Sequence, residues 1–241
     1  MPQYLVGFDR YIALEWANYA LELSSPHPDS AKAKVSQLKS WLSLRVPGQV
    51  AARKTANVLT RMWLDSNPDF LYFREEAWRL RLDAKKNDLV YFHWGMCLLT
   101  FPFFHETCVQ VGRLITLQTK LARREVRVRM AEKYSNQGTV LRSVDQVLQS
   151  LVDWGVLEKL SQQELGPKQH KSTDVMLKKW LLECVVFSAP NKRIPLQGFY
   201  KMPVLFPFEY NGDIGQIVNH SSKVVIERDG NNTEYIVWRA G

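Results

Sequence analysis

The 241-residue sequence contains few cysteines, and those it has are not at metal-binding spacing. The three are Cys97, Cys108 and Cys184, and no CxxC pair or Cys/His cluster surrounds them. Because structural zinc sites need such clusters, no metal site is predicted. Each cysteine lies in an apolar, helix-like stretch, which indicates buried, reduced thiols.

The sequence also lacks the short motifs that mark many enzymes. It has no GxGxxG or GxxxxGK[ST] loop for a phosphate, no HExxH pair and no nucleophile-elbow serine. The five histidines are scattered, and we interpret His93 and His105, which stand among aromatic residues, as core side chains. We therefore expect no catalytic residue and no cofactor. A nuclease or other enzyme assembled from distant residues stays open as an alternative.

A long hydrophobic run is absent as well. The most apolar stretch, residues 89–104, is interrupted by His93 and Pro102. It is too short and too polar to span a bilayer. The first residues lack the basic and apolar regions of a secretory signal. The expectation is a cytoplasmic protein with no membrane partner.

What the sequence does contain is a series of helical patterns followed by a β-hairpin pattern. Apolar residues recur at helical spacing through most of the first 190 residues. Near the end, residues 223–228 and 234–239 flank an Asp-Gly-Asn-Asn turn. The predicted fold is mainly α with a small β component. Its predicted parts are an N-terminal helical bundle (1–116), a central winged-helix module (117–190) and a C-terminal extension with the hairpin (191–241).

The balance of charge is basic, with 32 Lys and Arg against 24 Asp and Glu, a net charge of +8 and a pI of about 9.4. Such a balance favours polyanionic partners, meaning nucleic acid or an acidic membrane surface. Five of the cations lie in one predicted helix, residues 123–134, beside Glu125 and Glu132. That helix either holds phosphates or forms a solvated surface, and the pattern leaves both open.

The pattern that most narrows the function lies between residues 130 and 157. A helix, a turn containing Gly138, a second helix, Gly155, a short strand and a polar loop follow one another, as in a winged helix-turn-helix. Gly155 is predicted to leave the second helix in a left-handed conformation. An aliphatic ridge at helical spacing occupies one face of that helix: Val144, Val147, Leu148 and Leu151.

A recognition helix needs one buried face and one face of polar side chains that reach base edges in the major groove. The second helix offers both, since arginine can pair with guanine and glutamine with adenine. The polar loop 161–173 is predicted to be the wing, whose basic residues meet a phosphate or enter the minor groove. The predicted DNA-binding residues are Arg127, Lys133, Thr139, Arg142, Ser143, Gln146, Gln149, Lys168, His170 and Lys171.

Two features leave a protein-binding role open. Asp145 and Asp153 also lie on the polar surface of the second helix, as expected for a winged helix that contacts only protein. The aromatic segment 199–210 is a candidate docking surface. These features support an alternative hypothesis, in which the chain is a scaffold subunit in a multi-protein assembly.

The layout of the chain resembles the small accessory proteins of bacterial phage-defence operons, and in particular the BrxA family of BREX systems. The resemblance lies in the helical bundle, the stretch 89–113 leading into the basic helix 123–134, and the winged-helix pattern after it. It covers about the first two thirds of the chain, and the C-terminal tail with its hairpin departs from it. The resemblance implies a non-catalytic component of an antiviral defence system that binds double-stranded DNA and has protein partners.

Overall fold

The computed structural model describes residues 7–26, 30–134, 137–210 and 214–239. The Oγ atom of Ser30 starts the second helix by accepting a hydrogen bond from the Ala33 amide at 3.1 Å. The helices of the first hundred residues are α1 (Leu14–Leu23), α2 (Ala31–Ser43), α3 (Gln49–Leu59) with a π-helical continuation (Thr60–Leu64), α4 (Leu71–Leu80) and α5 (Leu89–Thr100).

The middle of the chain combines three helices with a small antiparallel sheet. Its elements are α6 (Pro102–Leu117), β1 (Leu121–Ala122), α7 (Arg123–Lys133), α8 (Gln137–Asp153), β2 (Leu157–Lys159) and β3 (Glu164–Pro167). β3 lies between β1 and β2 and pairs with both. The order from α7 to β2 is the order that the sequence predicts, and β1 and β3 add to it. Residues 135–136 of the predicted turn lie outside the described residues.

Gly155 provides the change of direction between α8 and β2. Its φ of +69° lies in the left-handed region, which confirms the prediction for this position. A residue with a Cβ would be strained there, whereas glycine adopts this conformation without steric cost. The sequence therefore fixes the point at which the helix ends and the hairpin begins.

The last third of the chain adds one long helix and a second sheet. Asp174 caps the long helix, since its Oδ1 accepts hydrogen bonds from the amides of Met176 and Leu177 at 2.9 and 3.2 Å. The predicted terminal hairpin is confirmed, and a further strand pairs with its second arm to give the order β4-β6-β5. The elements are α9 (Val175–Ser188), β4 (Arg193–Pro195), α10 (Leu196–Phe199), α11 (Ile214–Asn219), β5 (Val224–Arg228) and β6 (Glu234–Trp238).

These parts share one continuous apolar core. α9, which the predicted boundaries place with the central module, packs on α5 and α4. The turn Pro203–Leu205 packs on α6. A Cβ at Gly112 would collide there with the backbone of Pro203, so the close approach of the turn to the helix requires glycine.

The aromatic segment 199–210 is largely internal, so its interpretation as a docking surface is wrong. Trp94 donates a hydrogen bond from Nε1 to the carbonyl oxygen of Val204 at 3.2 Å. Its ring also meets Phe206 and Phe208 edge-on, with centroids 5.6 and 5.3 Å apart. The segment buries its rings against α5 because these contacts remove large apolar surfaces from water.

Other expectations about the core and the class of fold are borne out. The mainly helical fold with a small β component is confirmed. The three cysteines are buried free thiols, as predicted, and burial raises the pKa of each. None of the helices in the described part of the chain has both the length and the apolar character that crossing a bilayer requires.

Candidate nucleic-acid interface

The aliphatic ridge of α8 is buried, as the sequence predicts. Val144, Val147, Leu148 and Leu151 have no exposed surface. Burial of four aliphatic side chains stabilises the packing of α8 on its neighbours by several kcal/mol, at about 1.5–3 kcal/mol for each. The ridge fixes the rotation of the helix about its axis, and that rotation decides which polar side chains face outward.

One polar strip of α8 faces solvent, and we call it the open ridge: Arg142, Asp145 and Gln149. Arg142 and Gln149 are exposed, and Asp145 is partly exposed. Within the described residues, Arg142 makes one hydrogen bond, a long one of 3.3 Å from Nε to the carbonyl oxygen of Gly138 in its own helix. Thr139 is exposed as well, one residue after Gly138. The start of α8 thus has two exposed polar residues, Thr139 and Arg142.

A second polar strip of α8 is occupied, and we call it the covered ridge: Gln146, Ser150 and Asp153. The backbone amide of Tyr11 donates to Oε1 of Gln146 at 2.7 Å. The amide of Ile12 donates to Oγ of Ser150 at 2.9 Å. The N-terminal segment therefore lies along this strip, and the strip replaces the strand partner that an extended segment needs for its amides.

The end of α8 holds the same segment. Asp153 accepts hydrogen bonds from the hydroxyl of Tyr11 at 2.8 Å and from the amide of Leu14 at 2.7 Å. Trp154 donates from Nε1 to the carbonyl oxygen of Ile12 at 2.9 Å. Burial, followed by the hydrogen bond to Asp153, raises the pKa of Tyr11 well above its ordinary value. The phenol is therefore a permanent donor to the carboxylate at physiological pH.

Two predicted DNA-binding residues of α8, Ser143 and Gln146, are buried or partly buried rather than exposed to solvent. Ser143 is only 2% exposed, so the prediction that it faces a duplex is wrong. It lies on the side of the helix that turns toward the core, beside Val144. Gln146 is partly buried, and its Oε1 is engaged by Tyr11. For Gln146, sequence periodicity cannot register a segment that arrives from more than 130 residues away.

Most of the predicted phosphate-binding cations already have carboxylate partners. Arg127 forms a two-bond ion pair with Asp145, at 2.8 and 2.6 Å. The Nζ atom of Lys133 lies 2.6 Å from Glu106. Lys171 lies 2.8 Å from a carboxylate oxygen in the C-terminal part, that of Glu209. In both lysine pairs the lysine is exposed and the carboxylate is partly buried.

The hairpin between β2 and β3 is shorter than the predicted wing. Its tip is residues 160–163, since β3 takes the following residues, and Lys168 and Lys171 come after the hairpin. Lys168 is exposed and forms no ion pair with the residues that the structure describes. Lys159, which sequence reasoning missed, is exposed at the end of β2 beside the tip.

His170 has a structural role, so its placement on the wing is wrong. Its ring Nε2 lies 2.9 Å from the carbonyl oxygen of Gly155, and its backbone amide donates to Pro207 at 2.6 Å. Its ring also packs near Phe208, with centroids 6.0 Å apart. Burial lowers the pKa of His170. The residue therefore links the end of α8 to the C-terminal segment and stays neutral at physiological pH.

The charge excess of the chain is concentrated around α8. Residues 117–173 contain ten Lys and Arg against six Asp and Glu, which is half of the net charge of +8 in less than a quarter of the sequence. The described residues contain no cluster of three side chains suited to hold a metal ion. The candidate interface therefore consists of exposed polar and basic side chains on α8 and its neighbours.

Comparison with known proteins gives no further guide. No protein-family model, no curated protein and no solved structure matches the chain.

Proposed function

We propose that the protein is a non-enzymatic DNA-binding protein that places the start of α8 in the major groove of a duplex. The observation that most supports this is the rotation of α8, which buries its aliphatic ridge and leaves Thr139, Arg142 and Gln149 exposed. In helix-turn-helix proteins the first residues of the recognition helix contact base edges. Arginine is the commonest partner of guanine there, and glutamine pairs with adenine.

The acidic residues of α8 do not stand against this proposal. The carboxylate of Asp145 is neutralised by the two-bond pair with Arg127. The carboxylate of Asp153 is directed at the N-terminal segment by its two hydrogen bonds. Because an ion pair reduces the repulsion between a carboxylate and a phosphate, the net field around the open ridge is set by the surrounding cations.

Phosphate contacts in this proposal come from lysines. Lys168 is exposed without an ion pair among the described residues, and Lys159 stands beside the hairpin tip. Lys171 would exchange its partner Glu209 for a phosphate, whereas Lys133 stays paired with Glu106. Ser143 and His170 have no part in the contact.

The setting in an antiviral defence system belongs to the proposal through the resemblance to the BrxA family. Replacing Arg142 with Glu in the native gene cluster should then abolish protection while the protein level stays the same. A plaque assay on cells that express the cluster measures this. Full protection by the Arg142→Glu protein would contradict the defence role of the open ridge.

Binding itself is tested by fluorescence anisotropy of a labelled mixed-sequence duplex titrated with the full chain. The affinity should fall as salt rises from about 50 to about 200 mM, with a slope near −0.9 for each phosphate contact. Arg142→Glu should weaken binding at least about tenfold, since a bidentate base contact contributes about 1–3 kcal/mol. Arg53 on α3 is exposed, so Arg53→Glu is the matched change of charge elsewhere and should have a much smaller effect. Absence of binding at low salt, or equal losses in the two variants, would overturn the proposal.

A further inference from the structure

An open groove of about 880 Å³ runs between α6 and α7, on the flank of α7 that faces away from α8. α6 supplies Arg113 to its lining, and α7 supplies Arg124, Val128 and Arg129. The opposite flank of α7 is identified by Arg127, which pairs with α8 through Asp145. The groove is thus a separate surface from the open ridge of α8, within the size range of ligand-binding clefts.

The groove has an excess of positive charge once its internal pairs are considered. Glu106 is held by Lys133 at 2.6 Å. Glu125 accepts hydrogen bonds from Nε2 of Gln118 at 3.0 Å and from the Ala122 amide at 3.2 Å. Apart from the Glu106–Lys133 pair, the charged side chains of the lining are two carboxylates, Glu125 and Glu132, and three arginines, Arg113, Arg124 and Arg129, which leaves an excess of one positive charge. None of these three arginines forms an ion pair with the residues that the structure describes.

An apolar side chain lies among these arginines. Val128 is 46% exposed on α7, although burying an aliphatic side chain away from water is favourable. It stands between Arg124 and Glu132 on one face of the helix, at the spacing of one turn. The groove therefore offers guanidinium groups on both walls and an apolar contact between them.

We propose that the α6–α7 groove binds an acidic, amphipathic segment of a partner protein. Guanidinium groups pair with carboxylates through two parallel hydrogen bonds, and an apolar residue of the segment covers Val128. A nucleic-acid backbone fits less well, because a chain of phosphates has no apolar group to cover Val128. This site goes beyond the DNA contact of α8, and both partners can bind at once because they use opposite flanks of α7.

The experiment uses the full chain and two synthetic peptides. One is a fluorescein-labelled amphipathic helix with Glu on one face and Leu on the other, and the second replaces each Glu with Gln. The Glu peptide should bind, and its titration should shift the backbone amide NMR signals of α6 and α7 rather than those of α8. Equal binding of the Gln peptide, or shifts confined to α8, would overturn the proposal.

Matched variants locate the contact. The double variant Arg113→Gln and Arg129→Gln should weaken binding of the Glu peptide at least about tenfold, because two charge-assisted pairs are lost. Arg53→Gln should leave binding within about twofold, since an exposed charge on α3 acts only through the screened field. The thermal melting curve of the double variant serves as the check on folding. Single-stranded DNA that binds the groove as tightly as the Glu peptide, and is lost with the same variant, would contradict a protein partner.

Discussion

The open ridge and the covered ridge lie side by side on α8 and have opposite surroundings. Arg142 and Gln149 of the open ridge face solvent, whereas Ser150 of the covered ridge is buried under the N-terminal segment. Both strips are polar, and both follow helical spacing. Polarity alone therefore does not separate a surface that holds the fold together from a surface that is available to a partner.

The difference teaches where mutations should affect stability and where they should affect binding. The covered ridge supplies hydrogen bonds to an extended segment whose amides have no strand partner. Loss of Ser150 there leaves the buried Ile12 amide unsatisfied, which is costly. Arg142 and Gln149 of the open ridge have few internal contacts, so these two side chains can change with little effect on folding.

The largest expected effect is at the end of the covered ridge. Trp154 is 2% exposed, and its Nε1 donates to the carbonyl oxygen of Ile12. Trp154→Ala should lower the free energy of unfolding by about 3–5 kcal/mol, because it leaves a cavity and an unpaired carbonyl. Urea unfolding followed by circular dichroism measures this. A loss below about 1 kcal/mol would contradict the difference between the two ridges, since the covered ridge would then contribute no more to stability than a surface site.

A smaller effect is expected from a single hydroxyl of the covered ridge. Ser150→Ala removes the acceptor of the Ile12 amide and should cost about 1–3 kcal/mol in the free energy of unfolding. Ser143→Ala is the matched control, because Ser143 is buried on the same helix and makes no hydrogen bond to residues 7–26. Its loss should be the smaller of the two. Equal losses would show that the N-terminal segment does not depend on the covered ridge.

Protonation of His93 should lower the stability of the folded protein at acidic pH. This residue is completely buried between Trp63 and Trp154, and its Nε2 lies 2.7 Å from Oδ1 of Asn18. Burial lowers its pKa to about 3. The unfolded chain binds a proton near pH 6.5 and the folded chain does not, so stability should fall as pH drops from about 6.5 toward 3, by at most about 1.4 kcal/mol per pH unit.

The contribution of His93 is measured as a difference. His93→Gln removes the titrating group, so unfolding curves at several pH values should show a flatter pH dependence for the variant between about pH 6 and 4. Carboxylates titrate in both proteins and cancel in the comparison. Parallel curves for the two proteins would contradict a neutral, buried His93.

The smallest effect on stability is expected on the open ridge. Arg142→Ala and Gln149→Ala should each change the free energy of unfolding by no more than about 0.5 kcal/mol, because both side chains are exposed and make few contacts. Differential scanning fluorimetry is sufficient to measure this. Destabilisation as large as that of Ser150→Ala would remove the distinction between the two ridges.

Local pattern was sufficient to predict the elements with strong periodicity. The burial of Val147 and Leu148, the left-handed Gly155 and the terminal hairpin all follow from spacing or from turn chemistry. β1 is two residues long and β3 contains Gly166 and Pro167, so neither leaves an alternating pattern to recognise.

The surroundings of the candidate site could not be predicted in the same way. The hydrogen bonds from Tyr11 and Ile12 to α8 join residues separated by 135 and 138 positions. Likewise, the composition of the aromatic segment 199–210 suggests an exposed docking surface, and the sequence does not show that Trp94 packs against it. Such contacts depend on tertiary packing, which one-dimensional periodicity does not record.

The measurement that tests the DNA contact of the open ridge most directly is site-specific photocrosslinking. The native cysteines are buried, so a single cysteine introduced by Arg142→Cys or by Arg53→Cys can be labelled selectively with benzophenone maleimide. The label at position 142 should crosslink to a bound duplex, and the label at position 53 should not. Crosslinks of equal yield from both positions, or none from position 142 while the duplex is bound, would contradict the account.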